Sequence, residues 1–207
     1  VEFVKLHKKM FVLALVAFAC GVLWITAVRF ILYSPSSVHY HANFAVFIDG
    51  ERLPFANPLY YEEVQSCSSG DESNPKIRVH MHDRVNHVIH VHDAGATWGH
   101  FFANVGMTNG DIVFRNDSAV YVEDEQTKIH FILNGEEVDT TANRAIKSED
   151  TLLVSIGNPT EEQLNEQYAQ IEKNAAEYNL RDDPSSCTGS AEATFIERLQ
   201  YSVGFQQ

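Results

Sequence analysis

The longest unbroken apolar stretch comes first. Residues 10–28 carry no charged side chain, and with Arg29 taken as a snorkelling residue the run reaches Tyr33. A helix across a bilayer core takes about 20 residues, so this run predicts one membrane span. Lys5, His7, Lys8 and Lys9 stand just before it, which keeps the N-terminal stub in the cytoplasm and sends the rest of the chain outside. Trp24 and Tyr33 fall toward the far interface. The run is longer than the apolar region of a cleaved signal peptide. It also continues well past Cys20, which argues against lipidation at Ala17-Phe18-Ala19-Cys20.

Beyond a Ser-Pro-Ser-Ser linker at 34–37 the period changes to two. Over 38–48, Tyr40, Ala42, Phe44, Val46 and Ile48 share one face of a predicted strand, and His39, His41, Asn43, Ala45 and Phe47 the other. Asp49-Gly50 signals a hairpin returning over 51–55. Further strands are expected at 76–82, 87–93, 111–115 and 152–156, with a second hairpin, 128–133 and 136–140, around Asn134-Gly135. Thr97 is placed to cap a short helix over 98–105, stopped by Gly106. Thr160-Glu161-Glu162-Gln163 is a capping box, and Leu164, Tyr168, Ile171, Ala175 and Tyr178 keep a helical stripe.

The expected class is α+β. An N-terminal transmembrane helix is followed by a mostly antiparallel β domain with a short helix and one long C-terminal amphipathic helix. The segment 128–156 looks like part of a β-grasp-type sheet, an analogy that carries no function. The expected organisation is a stub and anchor at 1–33, a histidine-rich domain at 34–180, and a tail at 181–207.

Charge and cysteines narrow the partners. The formal net charge of −13 argues against nucleic acid, whose phosphates need a basic surface. It argues equally against an anionic lipid surface as the dock for the globular part. Cys67 and Cys187 lie in polar loops outside the membrane, an even pair that reads as one disulfide tying the tail to the domain. Any metal site is then left to histidine, carboxylate and water.

The candidate chemistry lies in three H-x-H pairs: His39 with His41, His80 with His82, and His90 with His92. On a strand each pair aims two imidazoles the same way. The register of the hairpin 76–93 decides whether the pairs meet. If Asp83 pairs with His87, a three-residue loop results, His80 faces His90, and all four rings share one side; one residue of slip sends them to opposite sides. Asp83 and Asp93 follow their pairs, either as turn caps or as acceptors for an imidazole N–H. His87, His100 and His130 are weaker candidates. Ligation by nitrogen alone suits copper or zinc.

The phrases His39-Tyr40-His41-Ala42-Asn43-Phe44, His80-Met81-His82-Asp83, and His90-Val91-His92-Asp93 with Thr97-Trp98-Gly99-His100-Phe101-Phe102 resemble those of uncharacterised single-pass bacterial extracytoplasmic proteins with repeated H-x-H. The resemblance implies a fold and a membrane-bound setting and brings no activity. Three functions stay open. The first is a membrane-anchored protein that holds or passes on copper or zinc. The second is a metalloenzyme with a histidine-ligated open position, for which Glu62, Glu63 and Asp93 are candidate bases. The third is an accessory subunit that joins other membrane subunits through its anchor and C-terminal segment.

Overall fold

The structure is a computed structural model that describes residues 2–33, 38–62, 74–181 and 195–204. The chain forms two compact units: Val1–Ser36 with Ser190–Gln207, and Ser37–Gly189. Cys67 and Cys187, with the expected disulfide, lie outside the described residues.

In the first unit a single helix, α1 (Glu2–Leu32), contains a segment, His7–Leu32, that is long and apolar enough to cross a membrane.

The second unit is α+β. Its main sheet is built on β1 (Tyr40–Ile48), a strand buried along nearly its whole length. On one edge, β1 pairs antiparallel with β4 (Val88–Val91) through its first half and with β2 (Glu51–Arg52) through its end. On the other edge it runs parallel to β10 (Thr151–Gly157). β3 (Val79–His80) extends the sheet beyond β4, and β8 (Lys128–Leu133) with β9 (Glu136–Val138) extends it beyond β10. A second sheet is formed by β5 (Thr108–Asn109), β6 (Val113–Arg115) and β7 (Val120–Val122).

Both expected hairpin turns are present, and both central residues of each have positive φ: Asp49 at 51° with Gly50 at 85°, and Asn134 at 55° with Gly135 at 85°. Those values define the type I′ turn whose twist suits a two-residue hairpin. The strand expected at 76–82 is mostly replaced. Asn74 accepts from the Lys76 N–H and Pro75 opens a 3-10 turn, Pro75–Ile77, so only β3 remains extended.

The alternation in β1 gives the sheet two different faces. Ala42, Phe44 and Val46 join Val79, Met81, Ile89, Val91, Leu152 and Val154 in the main core. Helix α2 (Trp98–Asn104) seals that core with Trp98, Phe101 and Phe102. Thr97 and His100 form its capping box. A Cβ at Gly99 would collide with the Ala142 carbonyl, which accepts the Gly99 N–H at 3.0 Å, so only glycine lets the helix start this close to the neighbouring loop.

The opposite face is divided. Ala45, Phe47, Ile132 and Leu153 pack under Leu164 and Ile171, with α3 (Glu161–Ala169) above them. The rest of that face carries the histidines. The single long C-terminal helix expected from the stripe does not form. Instead α3 ends at Ala169, and a separate short helix, α4 (Ala175–Asn179), follows. Side chains from the sheet end one helix and start the other. Arg52 donates to the Gln170 carbonyl and pairs with Glu172 at 2.6 Å. Asn43 accepts the Ala175 N–H at 2.8 Å and donates to Asn174 Oδ1 at 2.9 Å. The capping box that opens α3 forms as the sequence indicates.

Candidate metal centre

The register settles the question left open by the hairpin. His80 lies opposite His90 across β3 and β4, and His90 lies opposite His41 across β4 and β1. The sheet therefore carries a row His80–His90–His41. One step along, the His92 N–H donates to the Arg78 carbonyl at 2.8 Å, and the His39 and His92 rings stack at 4.9 Å. His82 sits one step the other way, its ring 3.6 Å from that of His90. Even parity along three adjacent strands thus gathers all six rings on one face.

Other centre-to-centre separations are 4.7 Å for His39–His41, 4.3 Å for His41–His90, 5.2 Å for His80–His92 and 5.8 Å for His80–His82. Two imidazoles on one tetrahedral ion, with bonds of about 2.05 Å, have centres about 5 Å apart. The cluster is already at that spacing. His39, His41 and His90 could hold a metal ion, since one nitrogen from each lies within 4.8 Å of the other two. Two further contacts meet at His90. His41 Nε2 and His82 Nε2 both point at His90 Nδ1, at 2.8 and 3.1 Å.

The hydrogen bonds on the far sides of the rings decide which nitrogens face inward. His41 Nδ1 is 2.9 Å from Asn179 Oδ1, an oxygen that also accepts the His41 backbone N–H at 2.9 Å. The Asn179 amide nitrogen donates to Ser148 Oγ, so the amide orientation is fixed from both ends. His82 Nδ1 is 2.9 Å from the Asp83 carboxylate, and His80 Nδ1 is 2.9 Å from the Lys76 carbonyl. An oxygen acceptor requires the proton on Nδ1, which leaves the lone pair on Nε2. Three of the six histidines are therefore held in the tautomer a ligand needs, by a carboxamide, a carboxylate and a carbonyl.

Four of the rings, those of His41, His80, His82 and His90, are buried, at 1–4 % exposure. Helix α4 lies against two of them: Tyr178 is 5.7 Å from His41 and 6.5 Å from His90, ring centre to ring centre. Asp83 does both things its position suggested. It takes a turn conformation with φ at 55° and presents its carboxylate to His82. Asp93 caps a turn, accepting the Gly95 N–H at 2.7 Å.

The weaker candidates stand elsewhere. His100 belongs to its helix cap, and His130 pairs with Glu137 at 2.6 Å. His87 anchors the α3–α4 link through Asn174. Burial pushes its imidazole below the usual range, with Glu172 acting against that shift and Arg52 adding to it. Glu62 faces Lys76 at 3.8 Å, and Glu63 is outside the described residues. Met81 and Met107 are buried in the core beneath the other face and offer no thioether to the cluster.

Sequence reasoning missed Asn179 and gave Tyr178 only a packing role. An asparagine closing a short helix reads as an ordinary helix end. Its partner His41 lies 138 residues earlier, and no local pattern links the two. Comparison with known proteins gives no further guide: no family model, no curated protein and no solved structure matches the chain.

Proposed function

We propose that this is a membrane-anchored, extracytoplasmic protein that holds a copper or zinc ion on its histidine face, with α1 as the anchor. The observation that carries the reading is the fixing of His41, His80 and His82 by oxygen acceptors behind the rings, which turns their Nε2 atoms inward. His39, His41 and His90 form the ligand set, with His80, His82 and His92 beside it. An ion held there would take the lone pair of one ring nitrogen from each of these residues.

Nitrogen ligands without thiolate suit Cu²⁺ and Zn²⁺, and Cu²⁺ binds such sets more tightly. Burial under Tyr178 and Asn179 encloses the ion. That favours retention, or release to a partner when α4 lifts, over turnover at an open coordination position. The test is elemental analysis of the full chain, purified in detergent from cells grown with added copper and zinc. One tightly held ion per chain is expected, lost in His41→Ala and His90→Ala with the circular dichroism unchanged. Recovery of neither metal from replete cells would contradict the proposal.

A further inference from the structure

The unit formed by Val1–Ser36 and Ser190–Gln207 holds a second amphipathic element, α5 (Phe195–Ser202). One side of α5 is spent on the end of α1. Phe195 meets Phe30 edge to face at 5.4 Å, Tyr201 lies 4.7 Å from Tyr33, and the Arg198 guanidinium donates to the carbonyls of Phe30 and Tyr33. Phe30 lies in the last turn of α1, where helix geometry leaves carbonyls without intrahelical donors, and Tyr33 follows directly after it. Arg29, also in that turn, lies 4.9 Å from the Tyr201 ring centre.

The neighbouring stripe of α5 is apolar and exposed. Ile196, Leu199 and Val203 follow at i, i+3 and i+7, at 65, 45 and 54 % exposure. The level at which this stripe sits identifies what covers it. Arginine and tyrosine at the end of a membrane span mark the headgroup boundary. α5 is clamped to that same turn by Arg198 and two aromatic contacts, and the adjoining surface of α1 is itself apolar, with Ile31 and Leu32 exposed.

We infer that α5 is an interfacial helix, which lies along the bilayer surface with Ile196, Leu199 and Val203 among the upper acyl chains. Its occupant is lipid, and its function is to fix the depth and tilt of α1. The inference rests on α1 crossing the bilayer and is independent of the metal.

Tryptophan depth quenching tests it on the full chain reconstituted in phosphatidylcholine vesicles, with or without bromine on the upper acyl carbons. The chain's own tryptophans serve as controls, because Trp24 is exposed on α1 and Trp98 is fully buried. In Leu199→Trp, and independently in Ile196→Trp, the added emission is expected to be lost to brominated lipid and spared by aqueous iodide. Loss of Trp24 emission with no bromine quenching at position 199 or 196 would overturn the inference, whether iodide reaches those positions (a helix in water) or not (a helix covered by protein). If brominated lipid leaves Trp24 itself bright, α1 does not span and the anchor reading falls as well.

Discussion

At Asn179 a single oxygen accepts both the backbone N–H and the ring Nδ1–H of His41. This ties the ring to its own strand and fixes its tautomer. Groups behind a ligating histidine commonly carry a 10–100-fold share of metal affinity. Asn179→Leu should therefore weaken copper or zinc binding by about that factor in a competition titration, while Asn179→Asp, which keeps an acceptor, should retain most of the affinity. Equal losses in the two variants would show that the oxygen does not act on the ring. A separate residue-scale prediction concerns Tyr60. Its hydroxyl is pushed up to about 12, first by burial and then by its hydrogen bond to Asp117 and that carboxylate's charge. In the unfolded chain the group titrates near 10. A raised pKa means the contribution is complete below about pH 10 and is lost as pH rises through about 12. Denaturation midpoints should fall across that window in the parent and fall less in Tyr60→Phe. The contacts of His41 and Tyr60 were both unreadable in the sequence, because each partner comes from a distant segment. The facing of the histidine pairs was readable, because alternation along a strand depends on nothing beyond the strand.

At the scale of elements, the division between α3 and α4 matters most. The stripe from Leu164 to Tyr178 is periodic enough for one helix, yet Arg52 and Asn43 supply hydrogen bonds that end α3 and start α4 in another direction. Periodicity reports which side of a segment is buried; it does not report a competing donor or acceptor from across the fold. β7 was overlooked for a related reason: Val120 and Val122 are exposed and Tyr121 only half-buried, so the strand carries no buried alternation. The hairpins were legible because Asp-Gly and Asn-Gly satisfy a backbone requirement that is local. The gathering of the histidines by register was half legible, since loop length favoured the observed pairing without excluding the other. The link built by Asn43 has a measurable consequence. Asn43→Ala removes the acceptor for the Ala175 N–H and should cost about 1–3 kcal/mol in chemical denaturation. It should also lower metal affinity, because α4, which carries Tyr178 and Asn179, loses its seat. A stability loss with affinity unchanged would separate α4 from the site. Loss of the Thr97 cap should cost about 1 kcal/mol and leave metal binding intact, since α2 seals the opposite face.

At the scale of the whole molecule, one sheet serves two purposes. One face of β1 is committed to the apolar core under α2. The other begins as core under α3 and becomes an array of six imidazoles under α4. A packed core on one side makes the strands rigid, and rigidity holds the nitrogens at spacings an ion accepts without large rearrangement. The proposal of a bound metal rests on that histidine face, where His39, His41 and His90 could hold an ion. X-ray absorption at the metal edge of the copper- or zinc-loaded full chain tests this most directly. A first shell of nitrogen near 2.0 Å, with outer-shell scattering from three or more imidazole rings, is the predicted result. A shell of water or carboxylate oxygen without imidazole scattering would contradict it.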